Sequence, residues 1–312
     1  MAHLHRAAAQ AGEPPSLLLD ALARAPAAAA LVVRALERAE DRKALRLACT
    51  QLRDAVDEAT TRLEVDLYTT FARPPTPARW PRLEELTIYA PVSAALVVLG
   101  AESWGRLRTL RLGHRDDVTY ENHLVLDVPS ARALAAALRR MPALRALELK
   151  YVELLEDAAG ALFRASSAEG ASQPRLEELD LTHGNLDGAA AAALVAAPAF
   201  SLRRLYLSAC GLDAAALLAV AHAPWPLEEL NLFDNDFDAA ALAPALAALS
   251  RHAGLRKLDV SVCNLGAAGF KALVEATWPA LTHFNAGCAY AVFTGPLALG
   301  AAAFAGFPAI EE

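Results

Sequence analysis

The sequence is poor in aromatic residues, at 6%, and carries no excess of positive charge: 29 Lys and Arg stand against 36 Asp and Glu, for a formal net charge of −7. A surface whose main business is nucleic acid needs clustered Lys and Arg to neutralise phosphates, so this balance argues against that class. Cysteine is also scarce. Cys49, Cys210, Cys263 and Cys288 are widely spaced, and no C-x-x-C pair occurs. The usual zinc and redox motifs are thereby excluded. Scattered thiols of this kind suit a reducing compartment, so the expected location is cytoplasmic, with the nucleus as the alternative.

Reactive motifs are missing as well. There is no G-x-x-x-x-G-K-[ST] for a nucleotide, no G-x-S-x-G and no H-E-x-x-H. The eight histidines are dispersed, with His183 and His283 read as solvated residues on strand edges. The stretch "DNDFD" (Asp234–Asp238) has the spacing of a calcium loop, but Ala239 and Ala245 stand where the turn glycine and the bidentate glutamate would be needed. No set of nucleophile, base or metal ligands can be assembled, so the chain reads as non-enzymatic and without a cofactor. No charged residue falls between Asn285 and Ile310, a length that could cross a bilayer. Glycines at 287, 295, 300 and 306 and Pro296 interrupt it, and an alanine-rich terminal repeat is expected there rather than a membrane anchor.

What the chain has in quantity is leucine and alanine. Alanine makes up roughly a quarter of it, well above ordinary usage. Aligned on Leu-x-x-Leu-x-Leu, units start at Leu83, Leu107, Leu144, Leu176, Leu202, Leu227, Leu255 and Leu281, with spacings of 24, 37, 32, 26, 25, 28 and 26 residues. The segments read "LEELTI", "LRTLRL", "LRALEL", "LEELDL", "LRRLYL", "LEELNL", "LRKLDV" and "LTHFNA". Alternation at the second and third leucines is the period of a strand with one buried face. The alanine-rich stretch after each segment has helical spacing; Asp238–Ser250 places Leu242, Leu246 and Leu249 on one side. Each unit is thus strand, turn and helix. One strand and one helix cannot cover their own apolar faces, so the units must stack. In that stack Leu147, Leu179 and Leu205 should stand in line on neighbouring parallel strands.

Proline and tryptophan punctuate the frame. Pro81, Pro142, Pro174, Pro226 and Pro279 lie one or two residues before a unit starts, where proline ends the incoming helix. Trp80, Trp104, Trp225 and Trp278 lie two or three residues before a unit and are expected to plug the core where helix gives way to strand. Insertions are expected at "GHRDDVTYENHLVLD" (Gly113–Asp127) and "ASSAEGASQ" (Ala165–Gln173).

This frame resembles the leucine-rich repeat family in its longer, helix-containing form, like ribonuclease inhibitor. The resemblance covers residues 83 to about 300. It implies an α/β solenoid with a parallel sheet on the concave face and helices on the convex face. It further implies an Asn or Cys at the ninth position of a unit, bonding the backbone of the turn. Here that position holds Pro91, Arg115, Val152, Gly184, Cys210, Asn235, Cys263 and Ala289, so Cys210, Asn235 and Cys263 fit the pattern and the first three units depart from it.

Ahead of the repeats, residues 1–14 are expected to be a disordered tail and 15–67 a helical cap, with 68–312 the repeat domain. Helical patterns run over Leu17–Arg24, Ala27–Glu40 and Asp41–Thr60, and "TRLEVDL" (Thr61–Leu67) alternates like a strand. The stretch "LRLACTQLRDAVD" (Leu45–Asp57) resembles the second half of an F-box, with Leu45, Leu47, Leu52 and Val56 as its apolar positions. Its front half, "EPPSLLLDALARAPAAAALVV", replaces the usual Leu-Pro opening. The resemblance implies docking to the adaptor subunit of an SCF-type ubiquitin ligase.

What remains for function is the sheet face. Residues between the leucines point away from the core. Tyr89, Arg111, Lys150, Asp180, Tyr206, Phe233 and Asp259 are the candidate partner-binding residues, with Tyr206, Phe233 and Arg111 as anchors because buried aromatics and Arg dominate interface energies. The expected function is a protein-binding scaffold, the substrate receptor of a ubiquitin ligase; the alternative is an inhibitor or regulator of a partner enzyme such as a GTPase.

Overall fold

The computed structural model describes residues 57, 59–67, 75–100, 102–113, 124–155, 157–165, 175–197, 200–237 and 239–286. They fall into two compact units: Met1–Leu63 with Ala72–Glu85, and Glu64–Phe71 with Leu86–Glu312. The F-box-like positions Leu45, Leu47, Leu52 and Val56, the first two helical patterns, the body of both insertions and the uncharged stretch beyond Ala286 lie outside the described residues. In the first unit, Asp57 is buried and its carboxylate accepts from Arg79 Nε at 2.7 Å. The Arg79 guanidinium lies 5.1 Å from the Trp80 ring centroid.

The second unit carries the repeat. Among the described residues the strands are β1 (Arg62–Asp66), β2 (Glu85–Tyr89), β3 (Thr109–Gly113), β4 (Leu124–Leu126), β5 (Ala146–Glu148), β6 (Val152–Leu154), β7 (Leu176–Asp180), β8 (Phe200–Tyr206), β9 (Glu229–Asn231), β10 (Lys257–Asp259) and β11 (His283–Asn285). Helices α1 (Val92–Leu99), α2 (Val128–Leu138), α3 (Ala158–Ala165), α4 (Gly188–Val195), α5 (Ala214–Ala221), α6 (Ala239–Leu249) and α7 (Gly266–Glu275) alternate with them. Nine strands form one sheet in the order β1-β2-β3-β5-β7-β8-β9-β10-β11. All eight leucine segments and "TRLEVDL" therefore became strands, in chain order.

Register follows the leucines. Leu110 pairs with Leu147, Leu147 with Leu179, Leu179 with Leu205, Leu205 with Leu230, and Leu230 with Leu258, all parallel. Each is no more than 1% exposed, so the inward row contributes about 1.5–3 kcal/mol per leucine relative to an exposed one. Helices cover the inner face: Leu242, Leu246 and Leu249 of α6 are fully buried, as their spacing predicts. The four tryptophans are buried where they were expected, at 3%, 2%, 4% and 1% exposure for Trp80, Trp104, Trp225 and Trp278. This is a leucine-rich-repeat solenoid of parallel strands and helices. Among the described residues no helix is long and apolar enough to cross a membrane.

The turn after five of the repeat strands follows one rule that the sequence did not reveal. The eighth residue of five units is left-handed: Tyr151, His183, Ala209, Asp234 and Val262 have φ of 57, 61, 50, 56 and 55°. Glycine or asparagine suits this conformation, and a β-branched residue such as Val262 is strained in it. His183 thus sits in a tight turn, not on a strand edge, and its ring stacks on that of Tyr151 with centroids 4.7 Å apart. The third unit makes the same turn without Asn or Cys at its ninth position. There Val152 opens β6, which pairs in parallel with β4 as a second, two-stranded sheet. Part of the first insertion is therefore strand.

Candidate binding face

Three columns of side chains stand on the open face of the sheet, at the third, fifth and seventh positions of each unit. Alternation puts them there, because successive residues of a strand point to opposite sides. The third-position column includes Glu178, Arg204, Glu229 and Lys257. The fifth includes Arg111, Glu148, Asp180, Tyr206, Asn231 and Asp259, and the seventh Tyr89, Lys150, Thr182, Ser208, Phe233 and Ser261.

Charges on this face are paired across strands. Arg111 Nε donates to Glu148 Oε1 at 2.7 Å, and Arg204 donates to Glu178 through Nε at 2.8 Å and Nη2 at 2.6 Å. Lys150 Nζ lies 3.4 Å from Asp180 Oδ2, and Lys257 Nζ lies 3.4 Å from Glu229 Oε2. The carboxylates lie low, with side-chain exposures of 7–24%, while the cations stand over them at 38–52%. In each pair a largely buried carboxylate is neutralised by a more exposed cation. The cations are the outer member of each pair and are the charges that an incoming partner meets first.

The fifth position has a second task. Asp180 Oδ1 accepts from Thr182 N at 2.9 Å and Thr182 Oγ1 at 2.6 Å. Asn231 Oδ1 accepts from Phe233 N at 2.9 Å and Ser208 Oγ at 3.0 Å. Asp259 Oδ1 accepts from Ser261 N at 2.9 Å and also from Ser261 Oγ. Asp or Asn at the fifth position thus holds the chain as it leaves the strand, an Asx turn repeated in three units. The signal was present in the sequence as "DLT", "NLF" and "DVS" at corresponding places. Two of the candidate partner-binding residues, Asp180 and Asp259, are turn-forming residues by this geometry, and Asp180 is only 5% exposed.

The structure gathers Lys150, Asp180 and Tyr206 into one groove of about 420 Å³, where Tyr151, Glu178 and Asn231 join them. Burial raises the Tyr206 phenol far above its ordinary value, helped by Glu229 and Glu178 beside it. Tyr206 is therefore a neutral hydrogen-bond donor at any physiological pH. Phe233, on the adjacent β9 unit, is 40% exposed, an unusual state for so large an apolar side chain. Tyr89 and Arg111 stand on β2 and β3 and Asp259 on β10, outside the groove lining.

Beneath this face the ninth-position residues do what the resemblance implied. Cys210 Sγ donates to Leu181 O at 3.0 Å, and Cys263 Sγ donates to Leu232 O at 3.0 Å. Between them Asn235, fully buried, donates from Nδ2 to Leu207 O at 2.8 Å, Leu232 O at 2.8 Å and Phe233 O at 3.3 Å. Its Oδ1 accepts from Cys210 N at 3.2 Å and Leu212 N at 3.1 Å. Burial pushes the thiol of Cys210 up to about 12 and that of Cys263 to about 11, so neither is a nucleophile. Among the described residues, no group of three or more His, Cys, Asp or Glu is placed to hold a metal ion.

No protein-family model matches the chain, and no curated protein matches it significantly. Solved structures do match. One is the TLR13–ssRNA13 complex, at 17% identity and a TM-score of 0.42, over 76% of this chain and 34% of that one. This chain thus spans about a third of that protein's length. Another is the yeast complex of Rad7 and Elc1, at 14% identity and a TM-score of 0.43, over 85% of this chain and 82% of that one.

Proposed function

We propose that this chain is a non-enzymatic protein-binding scaffold that receives its partner on the open face of the sheet. The observation that carries the reading is the groove over β5, β7, β8 and β9, flanked by the exposed ring of Phe233. It combines an aromatic donor, ion pairs whose cations stand outermost and an uncovered apolar ring, which is the composition of an interface centre. A photo-crosslinking residue at position 233 tests it in the native host. The same residue at Leu218, exposed on α5 in the helix layer, serves as the control. The partner should be captured from position 233 alone. With the purified partner, Tyr206→Ala or Phe233→Ala should weaken binding by about 5- to 150-fold, or 1–3 kcal/mol, with the melting temperature retained. Capture from Leu218 instead, or equal affinity in the face variants, ends the proposal.

Assembly with a ubiquitin-ligase adaptor through Leu45, Leu47, Leu52 and Val56 extends the same reading. It rests on the F-box resemblance of Leu45–Asp57. The adaptor subunit should co-purify with the wild-type chain and be lost from a folded Leu45→Asp or Leu52→Asp variant. No adaptor with the wild type removes the ligase role and leaves the binding face standing. If the captured partner is an enzyme such as a GTPase, its turnover with and without this chain separates a regulator from a receptor.

A further inference from the structure

A second cavity, of about 360 Å³, lies between the loops that follow α5 and α6, away from the open face of the sheet. Ala221, His222 and Trp225 line one side, and Ala248, Arg251 and His252 the other. We propose that this cavity binds an oxyanion, a carboxylate or a phosphate group, held by Arg251.

The argument is one of leftover hydrogen-bonding groups. The ends of two helices ordinarily present unsatisfied carbonyl oxygens, which repel anions. Here they are covered. At the end of α5, Leu218 O accepts from His222 N at 3.1 Å and lies 2.9 Å from His222 Nδ1, and Val220 O accepts from Ala223 N at 3.1 Å. At the end of α6, Leu246 O accepts from Ser250 N at 3.0 Å, Ala248 O from Arg251 N at 3.1 Å and Leu249 O from His252 N at 3.0 Å. The His252 ring reaches back across the cavity, with Nε2 3.0 Å from Ala221 O and Nδ1 3.3 Å from Trp225 O. A carbonyl oxygen only accepts, so either tautomer of this ring serves one of the two and the imidazolium serves both.

With the His222 and His252 rings committed to carbonyls, the Arg251 guanidinium is the charged donor among the lining residues. No carboxylate lines the cavity. Arg251 is exposed and has no acidic partner among the described residues, in contrast to Arg111, Lys150, Arg204 and Lys257 on the sheet face. A guanidinium presents a planar fork that fits two oxygens of a carboxylate or phosphate. The floor of Ala221, Ala248 and Trp225 is buried and apolar, which leaves room for a compact apolar body behind the anionic head.

The test uses the full chain at constant ionic strength. Inorganic phosphate, acetate and benzoate are titrated in turn while the ring resonances of His222 and His252 are followed by NMR. At least one probe should give saturable shifts, weakened tenfold or more in Arg251→Gln and less in Arg251→Lys, with melting temperatures unchanged. Saturation by phosphate alone assigns a phosphate group. Saturation by benzoate more readily than acetate assigns a carboxylate with an apolar body seated toward Trp225. Shifts that never saturate with any probe, or that persist unchanged in Arg251→Gln, overturn the site.

Discussion

Asn235 is spent at both ends of its amide. It gives hydrogens to Leu207 O and Leu232 O and takes them from Cys210 N and Leu212 N, so it joins two successive turns in the dry interior. Asn235→Ala should cost about 3–5 kcal/mol in urea unfolding, because buried backbone groups lose their partners without gaining water. Asn235→Cys should cost less, since Cys210 and Cys263 already donate to the corresponding carbonyls, and an equal loss in the two variants would contradict this account. The thiols themselves give a pH prediction. Burial raises them in the folded chain above their ordinary value near 9.0, so on raising the pH the unfolded chain loses these protons first. Their contribution to stability is intact below about pH 9 and falls between there and the folded values of about 11 and 12. Urea midpoints for the wild type should therefore drop from pH 8.5 to 10.5 more steeply than for a Cys210→Ala, Cys263→Ala double variant. Identical slopes would show that these groups are not shielded.

At the scale of elements, three of the described helices are started by aspartate. Asp127, Asp187 and Asp213 accept from the backbone amides of Ser130, Ala190 and Ala216 at 2.9, 2.7 and 2.6 Å. Asp213 also takes the first amide of the preceding helix, Gly188 N, at 3.2 Å. Loss of a cap costs about 1 kcal/mol, so Asp187→Ala should fall near that value and Asp213→Ala nearer 2 kcal/mol by thermal or urea unfolding. If the two cost the same, the bond between α4 and α5 carries no weight. Much of this level was legible beforehand. The leucine frame placed every repeat strand, and the ninth-position rule found the roles of Cys210 and Cys263. The left-handed eighth position was not legible. Tyr, His, Ala, Asp and Val share no chemistry, and the conformation is imposed by ladder bonds to the next turn, such as His183 N to Ser208 O at 2.9 Å and Ala209 N to Phe233 O at 2.8 Å. Strand β4 was missed for a like reason. Its three residues are too short to show a period and exist as strand through pairing with β6.

At the scale of the whole repeat array, stability is shared between neighbours, because each unit buries its leucines against the next. Leu205 lies between Leu179 and Leu230 and is fully buried, so Leu205→Ala should cost about 2–5 kcal/mol. Its effect on amide exchange should be regional: faster exchange at Leu181, Leu207 and Leu232, whose amides bond to Tyr206, Asn231 and Asp259, with less change at Leu67, bonded to Tyr89. Uniform acceleration along the array would mean a single cooperative block. The candidate face is also a property of this scale. Its residues alternate with the buried leucines along each strand, but their partners sit 26 to 37 residues away, as Arg204 to Glu178 and Arg111 to Glu148 do.

The sequence by itself determined the strand–turn–helix unit, its parallel stacking and the leucine rows that form the core. Those are local facts: a period of two, a helical period, and an apolar face that one unit cannot cover alone. The tertiary structure alone decided which cations on the face are paired, that Asp180 and Asp259 serve turns, that Lys150, Asp180 and Tyr206 share a groove, and that Arg251 stands beside a cavity without a carboxylate. Each of these depends on which side chains neighbouring repeats bring within a few ångströms, and spacing along the chain carries no record of that distance.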